Sequence, residues 1–292
     1  TVFFLLLVPI FGTEEGGAKR WIWSGFTSFQ PSELAKVAIV LTFATLMSTY
    51  REKMQTFRYG VVPFALILLV ICGLVALEKH FSCILILLTI GASMMFLGGT
   101  DLKWFGYGAI AVGVFAFLYL KFMGYASARV TAWRDPASDP AGDGYQILQS
   151  LYAIGSGGLF GKGLLNATQS GHGFLPEAQT DFIFCVLAEQ FGFVGSMALL
   201  ALYGALIYVS MRIARNSNDL FGTLIVMCIV GMWLFQILEN IGMDCGLMPI
   251  TGIPLPFVSY GSTGMIMSFM ALGLIGSVWR GSNIDKKKEG RL

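Results

Sequence analysis

Long apolar runs separated by short polar stretches set the pattern of this chain. Runs near 32–50, 59–77, 82–99, 104–122, 182–210, 220–240 and 263–279 are each long enough to cross a bilayer core of about 30 Å as a helix, which satisfies its own backbone groups there. An eighth apolar piece, TVFFLLLVPIFG at 1–12, is too short to span unless tilted or cropped. The chain opens on Thr1, with no basic segment and small-residue cleavage site after it, so its start is read as lacking an upstream portion rather than as a signal peptide.

The pattern lapses twice. Residues 123–180 form a loop too long to be a mere connector, and loops of that kind carry function. Within it RDPASDPAGDG is rich in turn residues, while YQILQSLYAI has apolar positions at helical spacing and predicts a short interfacial or re-entrant helix. The second lapse, ENIGMDCGLMPITGIPLPFVSYGSTG, cannot be regular helix, so at membrane depth it is buried in protein or lines a wet cavity.

Composition agrees with the pattern: 55% of the 292 residues are hydrophobic and 12% charged, and the mean hydropathy is +0.72. This is the profile of a multi-pass membrane protein of the all-α class, organised as one domain over 1–292 with no internal repeat. Eleven of the 19 Lys and Arg fall in 51–58, 100–103, 212–215 and the tail from Trp279, which puts those stretches and the C-terminus in the cytoplasm and loop 123–180 outside. The five Cys stand singly, without metal-ligand or disulfide spacing.

The charges inside this apolar frame need explaining, because each is expensive in a membrane. In FQPSELAK, Pro31 suits a first helical turn, Ser32 or Gln30 is a candidate cap, and Glu33 and Lys36 share one helix face. They are either a packing ion pair or a phosphate-binding Lys36 oriented by Glu33. GSGGLFGKG is either closely packed backbone or a set of amides that, with Lys162, approaches an anionic head group. It is not a Walker A loop, since Ser156 and Gly163 stand where Gly and Ser or Thr are needed, and no nucleic acid is expected as a partner. Glu189 lies eight residues after Asp181, about 80° around an ideal helix, so the two are expected either to face one cavity or, for Glu189, to bond between helices. Glu239 and Asp244 are weaker cavity candidates. His80 and His172 lack a third ligand at recognisable spacing, so no metal-binding residue is assigned.

Taken together, the motifs KRWI…FQPSELAK, DPASDPAGDGYQILQSLYAIGSGGLFGKG, LPEAQTDFIFCVLAEQFGFVG and NIGM…GLMPITGIPLPFVSYG make the chain resemble the SEDS family (shape, elongation, division, sporulation) of the RodA and FtsW type over nearly its whole length. PITGIPLPFVSYG and GKGLLNATQS are closer to the RodA branch. Two places depart from the family pattern: LEKHFS at 77–82, where members often carry QPDLG, and Ser262 in place of the second Gly of SYGG.

The resemblance implies ten transmembrane helices in the full fold, with this sequence beginning in the third, at the bacterial plasma membrane. It implies polymerisation of lipid II, an undecaprenyl-diphosphate-linked substrate: the 4-hydroxyl of an acceptor sugar attacks C1 of the donor, the lipid diphosphate leaves, and the anomeric configuration inverts. Such chemistry asks for one base and for cations near the departing diphosphate, without the second carboxylic acid of a glycosidase. Asp181, in the TDF motif, matches the family's essential Asp and is the expected base. Glu177 is a secondary candidate for orienting the acceptor or binding a divalent ion, while Lys36, Arg129 and Lys162 are candidates for the diphosphate. A divalent cation, Mg or Mn, is the candidate cofactor, though no ligand cluster commits the sequence to one. The implied partner is a class B penicillin-binding protein, a transpeptidase. Competing readings are a lipid II flippase and a scaffold.

Overall fold

The computed structural model describes residues 1–15, 18–23, 28–78, 80–122, 131–142, 144–164 and 166–288. Arg129 lies outside them. The elements in chain order are α1 (Val2–Phe11), a small antiparallel sheet of β1 (Thr13–Glu15), β2 (Ala18–Trp23) and β3 (Ser28–Phe29), then α2 (Pro31–Thr49), α3 (Phe57–Gly60), α4 (Val62–Leu77), α5 (Phe81–Leu97) and α6 (Leu102–Phe122). They continue with α7 (Tyr145–Gly157), α8 (Ile183–Arg215), α9 (Leu220–Asp244) and α10 (Ser262–Lys288). Among the described residues, Pro31–Thr49, Phe57–Leu77, Ile183–Arg215, Leu220–Asp244 and Ser262–Ile284 are long and apolar enough to span a membrane. The sheet is an addition to the all-α expectation, built in register from Thr13 opposite Trp21 and Ile22 opposite Phe29.

The chain divides into two compact units. One comprises Thr1–Phe105, Leu206–Phe235 and Gly261–Leu292, the other Gly106–Ala205 and Gln236–Tyr260. In the first, α2 is the central helix and packs on α1, α4, α5 and α10. Pro31 opens it, because the ring presets the helical φ and the missing N–H has no partner to lose at that position. Thr42, Thr45 and Thr49 each donate their hydroxyl to a carbonyl four residues back, which satisfies a polar group within an apolar helix. Phe43 meets Phe64 of α4 edge to face, with centroids 4.8 Å apart, and Gly91 lets α5 close on Leu68 of α4.

The second unit is organised around a break in α8. Gly192 has φ 67 and ψ −161, so the helix is interrupted within its 33 residues. An intact helix would pair Phe193 N–H with Glu189 C=O and Val194 N–H with Gln190 C=O. Instead those amides donate to the carbonyls of Gly158 and Leu159, at 2.9 and 3.0 Å. The released carbonyls of Glu189 and Gln190 accept from the amides of Lys162 and Gly163, again at 2.9 and 3.0 Å. The glycine-rich loop thus docks backbone to backbone, which is the close-packing reading of GSGGLFGKG. A Cβ on Gly161 would stand 2.2 Å from Gln190 O, and one on Gly192 would stand 2.3 Å from Gly161 N.

α7 forms where YQILQSLYAI predicts it, and it buries Ala153 in a core with Leu175, Phe182, Cys185 and Met243. The stretch expected to be non-helical from 239 is helical through ENIGMD, within α9, and again from Ser262; between Asp244 and Gly261 the chain runs without helix, as its prolines and glycines predict.

Gly192→Ala is therefore expected to lower the thermal midpoint and folded yield of the purified protein sharply. Gly204→Ala, on the same helix with nothing within 4 Å of an added Cβ, leaves both unchanged. Equal midpoints for the two variants would contradict the docking described.

Candidate active site

Asp181 stands two residues ahead of α8, on a tight turn that begins at Glu177. Glu177 takes φ 51, a left-handed conformation uncommon for a side chain of its kind, and its carbonyl accepts from the amides of Thr180, Asp181 and Phe182. The Thr180 hydroxyl donates to the Glu177 carboxylate at 2.8 Å, holding it against the turn.

The non-helical stretch after α9 grips this turn by its main chain. Asn240 Nδ2 donates to the carbonyls of Asp181 and Ile253 at 2.7 and 2.8 Å. Ser259 Oγ donates to Thr180 O at 2.6 Å while accepting from Leu255 N–H, and Tyr260 N–H donates to Gln179 O at 2.8 Å. Three consecutive carbonyls, 179 to 181, are thereby fixed. The Asp181 carboxylate lies over Gly252, which has φ 72; a Cβ there would come within 3.0 Å of Asp181 Oδ2. Glycine is needed at 252 for its backbone angle and for the room it leaves.

Asn240, Ser259, Tyr260 and Gly252 have no candidate role in the sequence reading. Their only signal there is the density of Pro and Gly in 240–262. Glu239 and Asp244 are 3% and 0% exposed, and neither has a Lys, Arg or His within 4 Å among the described residues.

The other predicted residues divide. The 80° relation expected between Glu189 and Asp181 does not hold, because Asp181 precedes the helix, which starts at Ile183. Nor does Glu189 bond between helices. Its carboxylate, 0% exposed, accepts from the amides of Thr168, Gln169 and Ser170 at 2.8–2.9 Å, from the hydroxyls of Thr168 and Ser170, and from Lys162 Nζ at 3.2 Å. Lys162 also donates to Thr168 Oγ1 at 2.7 Å, so its charge is engaged within the loop.

In the other unit, Lys36 and Glu33 form a buried ion pair at 2.6 Å. Gln30 is the residue before the first turn but gives no side-chain cap; its amide and the Ser32 hydroxyl turn instead to His80 Nδ1, at 3.3 and 3.4 Å. Burial, with Arg20 and Lys36 as nearby positive charges, pushes the His80 imidazole down to about 3, so the ring is neutral. Burial pushes the Glu78 carboxyl up to about 8, against the pull of Arg20.

These two groups act in different pH windows. Glu78 has its folded value raised, so its contribution to stability is full below about 4.5 and is lost as pH rises through 8. His80 has its folded value lowered, so its contribution is present above about 6.5 and is lost as pH falls towards 3. Between pH 6.5 and 8 the His80 contribution is constant, while that of Glu78 is still falling. The thermal midpoint is expected to fall across that interval, and Glu78→Gln to flatten the slope; a variant with the wild-type slope would remove Glu78 as its source.

The chain matches the model of the FtsW/RodA/SpoVE family, described as cell cycle protein, over residues 1–284. It is 37% identical over 287 residues to stage V sporulation protein E of Bacillus subtilis, covering 95% of this chain and 76% of that one. It is 38% identical over 280 residues to peptidoglycan glycosyltransferase MrdB of Escherichia coli K12, covering 95% and 75%. Among solved structures, it is similar to a chain of a peptidoglycan synthase complex studied for its coordination of polymerization and crosslinking, with a TM-score of 0.78, 32% identity, and 96% and 79% of the two chains covered. RodA of Thermus thermophilus matches at a TM-score of 0.67 and 30% identity, with 96% and 75% covered. With one family model spanning almost every residue, and relatives of this identity covering three quarters of their own length, the chain belongs to the FtsW/RodA/SpoVE family of cell cycle proteins.

Proposed function

We propose that this protein is a peptidoglycan glycosyltransferase that polymerises lipid II, with Asp181 as the general base. The observation that carries this reading is the construction of the Asp181 turn. Main-chain carbonyls 179–181 are held by Tyr260, Ser259 and Asn240, and the carboxylate rests against the bare backbone of Gly252. None of those three anchors uses the carboxylate itself. The activity in the names of the FtsW and MrdB relatives supports the same reading.

Asp181 takes the proton of the acceptor hydroxyl as that oxygen attacks the donor C1, and the lipid diphosphate departs from the opposite face without needing protonation. Glu177, four residues before Asp181 and held by the Thr180 hydroxyl, is the residue proposed to orient the acceptor. For the diphosphate, Lys36, Arg129 and Lys162 are the proposed cations; Lys36 would have to be released from Glu33, and Lys162 from Glu189 and Thr168. A divalent cation, Mg or Mn, would offset diphosphate charge. Loop 123–180 is assigned to the outer face and the C-terminus to the cytoplasm, as the Lys and Arg distribution favours. A class B penicillin-binding protein is the proposed partner, and the motifs PITGIPLPFVSYG and GKGLLNATQS favour the elongation branch.

Labelled lipid II, incubated with the full-length protein and its partner, is expected to give glycan chains on a gel with the wild type and none with a folded, partner-bound Asp181→Asn. Residual chains from that variant would remove Asp181 as the base. Absence of chains from both proteins, with head-group movement across liposomes, would favour a flippase. Gly252→Ala is expected to cut turnover at least tenfold, since displacing a reacting group by about 1 Å costs on the order of a hundredfold. In the same assay Lys36→Ala should reduce use of lipid II more than it reduces protein abundance; parallel losses would leave Lys36 a structural role.

A further inference from the structure

Glu189 makes more hydrogen bonds than a charge needs merely to be tolerated in an apolar helix. Its two oxygens accept three consecutive amides, 168 to 170, two hydroxyls and one ammonium. Three successive N–H groups converging on one anion form a nest, here filled by the protein's own carboxylate. Charge-assisted bonds of this kind are roughly twice as strong as neutral ones, and side-chain anchoring fixes a loop that has no helix or strand of its own.

The anchored segment leads directly to the turn described above. The carbonyl of Gln169, whose amide Glu189 holds, accepts from the amides of Phe174 and Leu175 at 3.1 and 3.2 Å. Leu175 is 3% exposed and packs in the core with Phe182 and Cys185, which flank the start of α8. Two residues on, Glu177 O accepts from the amides of Thr180, Asp181 and Phe182. An unbroken run of hydrogen bonds and core contacts therefore joins the Glu189 carboxylate to the Asp181 main chain. The base of the anchor is fixed too, because the carbonyl of Glu189 itself is held by Lys162 N–H at the break in α8.

We infer that Glu189 is a positioning residue for Asp181, acting through segment 168–182 rather than on substrate. The inference rests on the assignment of Asp181 as base. In this arrangement Lys162 is the counter-charge of the anchor, and the glycines at 158, 161 and 163 exist to let the loop reach it.

The test uses the full-length protein with its partner, comparing wild type, Glu189→Gln, the double variant Thr168→Val/Ser170→Ala, and Asp181→Asn. Hydrogen exchange is followed at 168–170 and 180–182, and lipid II polymerisation is measured across substrate concentration. Glu189→Gln keeps the side chain's size but replaces one acceptor oxygen with a donor. It is expected to lose protection at 168–170 and also at 180–182, and to lower kcat at least tenfold with KM within twofold and the thermal midpoint near wild type. The double variant retains the three amide bonds and is expected to shift both readouts a few-fold in the same direction.

Exchange at 180–182 unchanged while 168–170 opens would overturn the coupling, as would wild-type turnover in Glu189→Gln. If Glu189→Gln fails to fold, the double variant decides: unchanged exchange at 180–182 or unchanged kcat overturns the inference. Polymerisation by Asp181→Asn would instead overturn the assignment of the base, and the exchange data would still report on the coupling.

Discussion

A helix in a bilayer satisfies its own amides, so a break is tolerated only where other groups replace the lost bonds. At Gly192 the replacement is one for one: two amides and two carbonyls leave the helical ladder, and two carbonyls and two amides of the 158–163 loop take their places. Much of the second unit depends on that exchange. It fixes the glycine-rich loop, brings Lys162 to Glu189, and leaves the Glu189 carboxylate where three amides of the next loop can reach it. A charge that would be costly in an unbroken apolar helix becomes, beside a broken one, the tie point of an otherwise irregular segment.

Five of the seven expected spans were legible because apolar length is a strong signal, whereas the runs at 82–99 and 104–122 give shorter apolar helices among the described residues; α7 was legible because its apolar positions recur at helical spacing. The break was not legible. Glycine is common in membrane helices, and nothing in QFGFVG separates Gly192, at φ 67, from Gly195. Glu189 stood out as a charge, but its partners lie 19 to 27 residues away in sequence, and no periodicity rule places them. The estimate that paired it with Asp181 assumed a helix extending to 181, whereas the helix starts at Ile183. The sheet at 13–29 was missed for a related reason: its strands are short and carry charges at Glu14, Glu15, Lys19 and Arg20, so they show little apolar alternation.

At the site itself the sequence showed the reactive residue but not its supports. Asp181 was visible as a carboxylate at the mouth of an apolar run within a motif of the family. Asn240, Ser259 and Gly252 were not, because they act through main-chain carbonyls, a φ value and an absent Cβ. Such roles belong to backbone geometry, which local composition does not record.

Acidic side chains in this protein are positioned in two ways. Glu33 with Lys36, and Glu189 with Lys162, are acid–base pairs in which each partner offsets the burial of the other. Around Asp181 the fold places its anchors on carbonyls 179, 180 and 181 instead. A general base has to be held to within a fraction of an ångström. Gripping the backbone on one side and presenting glycine on the other does this through main-chain atoms, at the place where the stretch after α9 gives up helix for prolines and glycines.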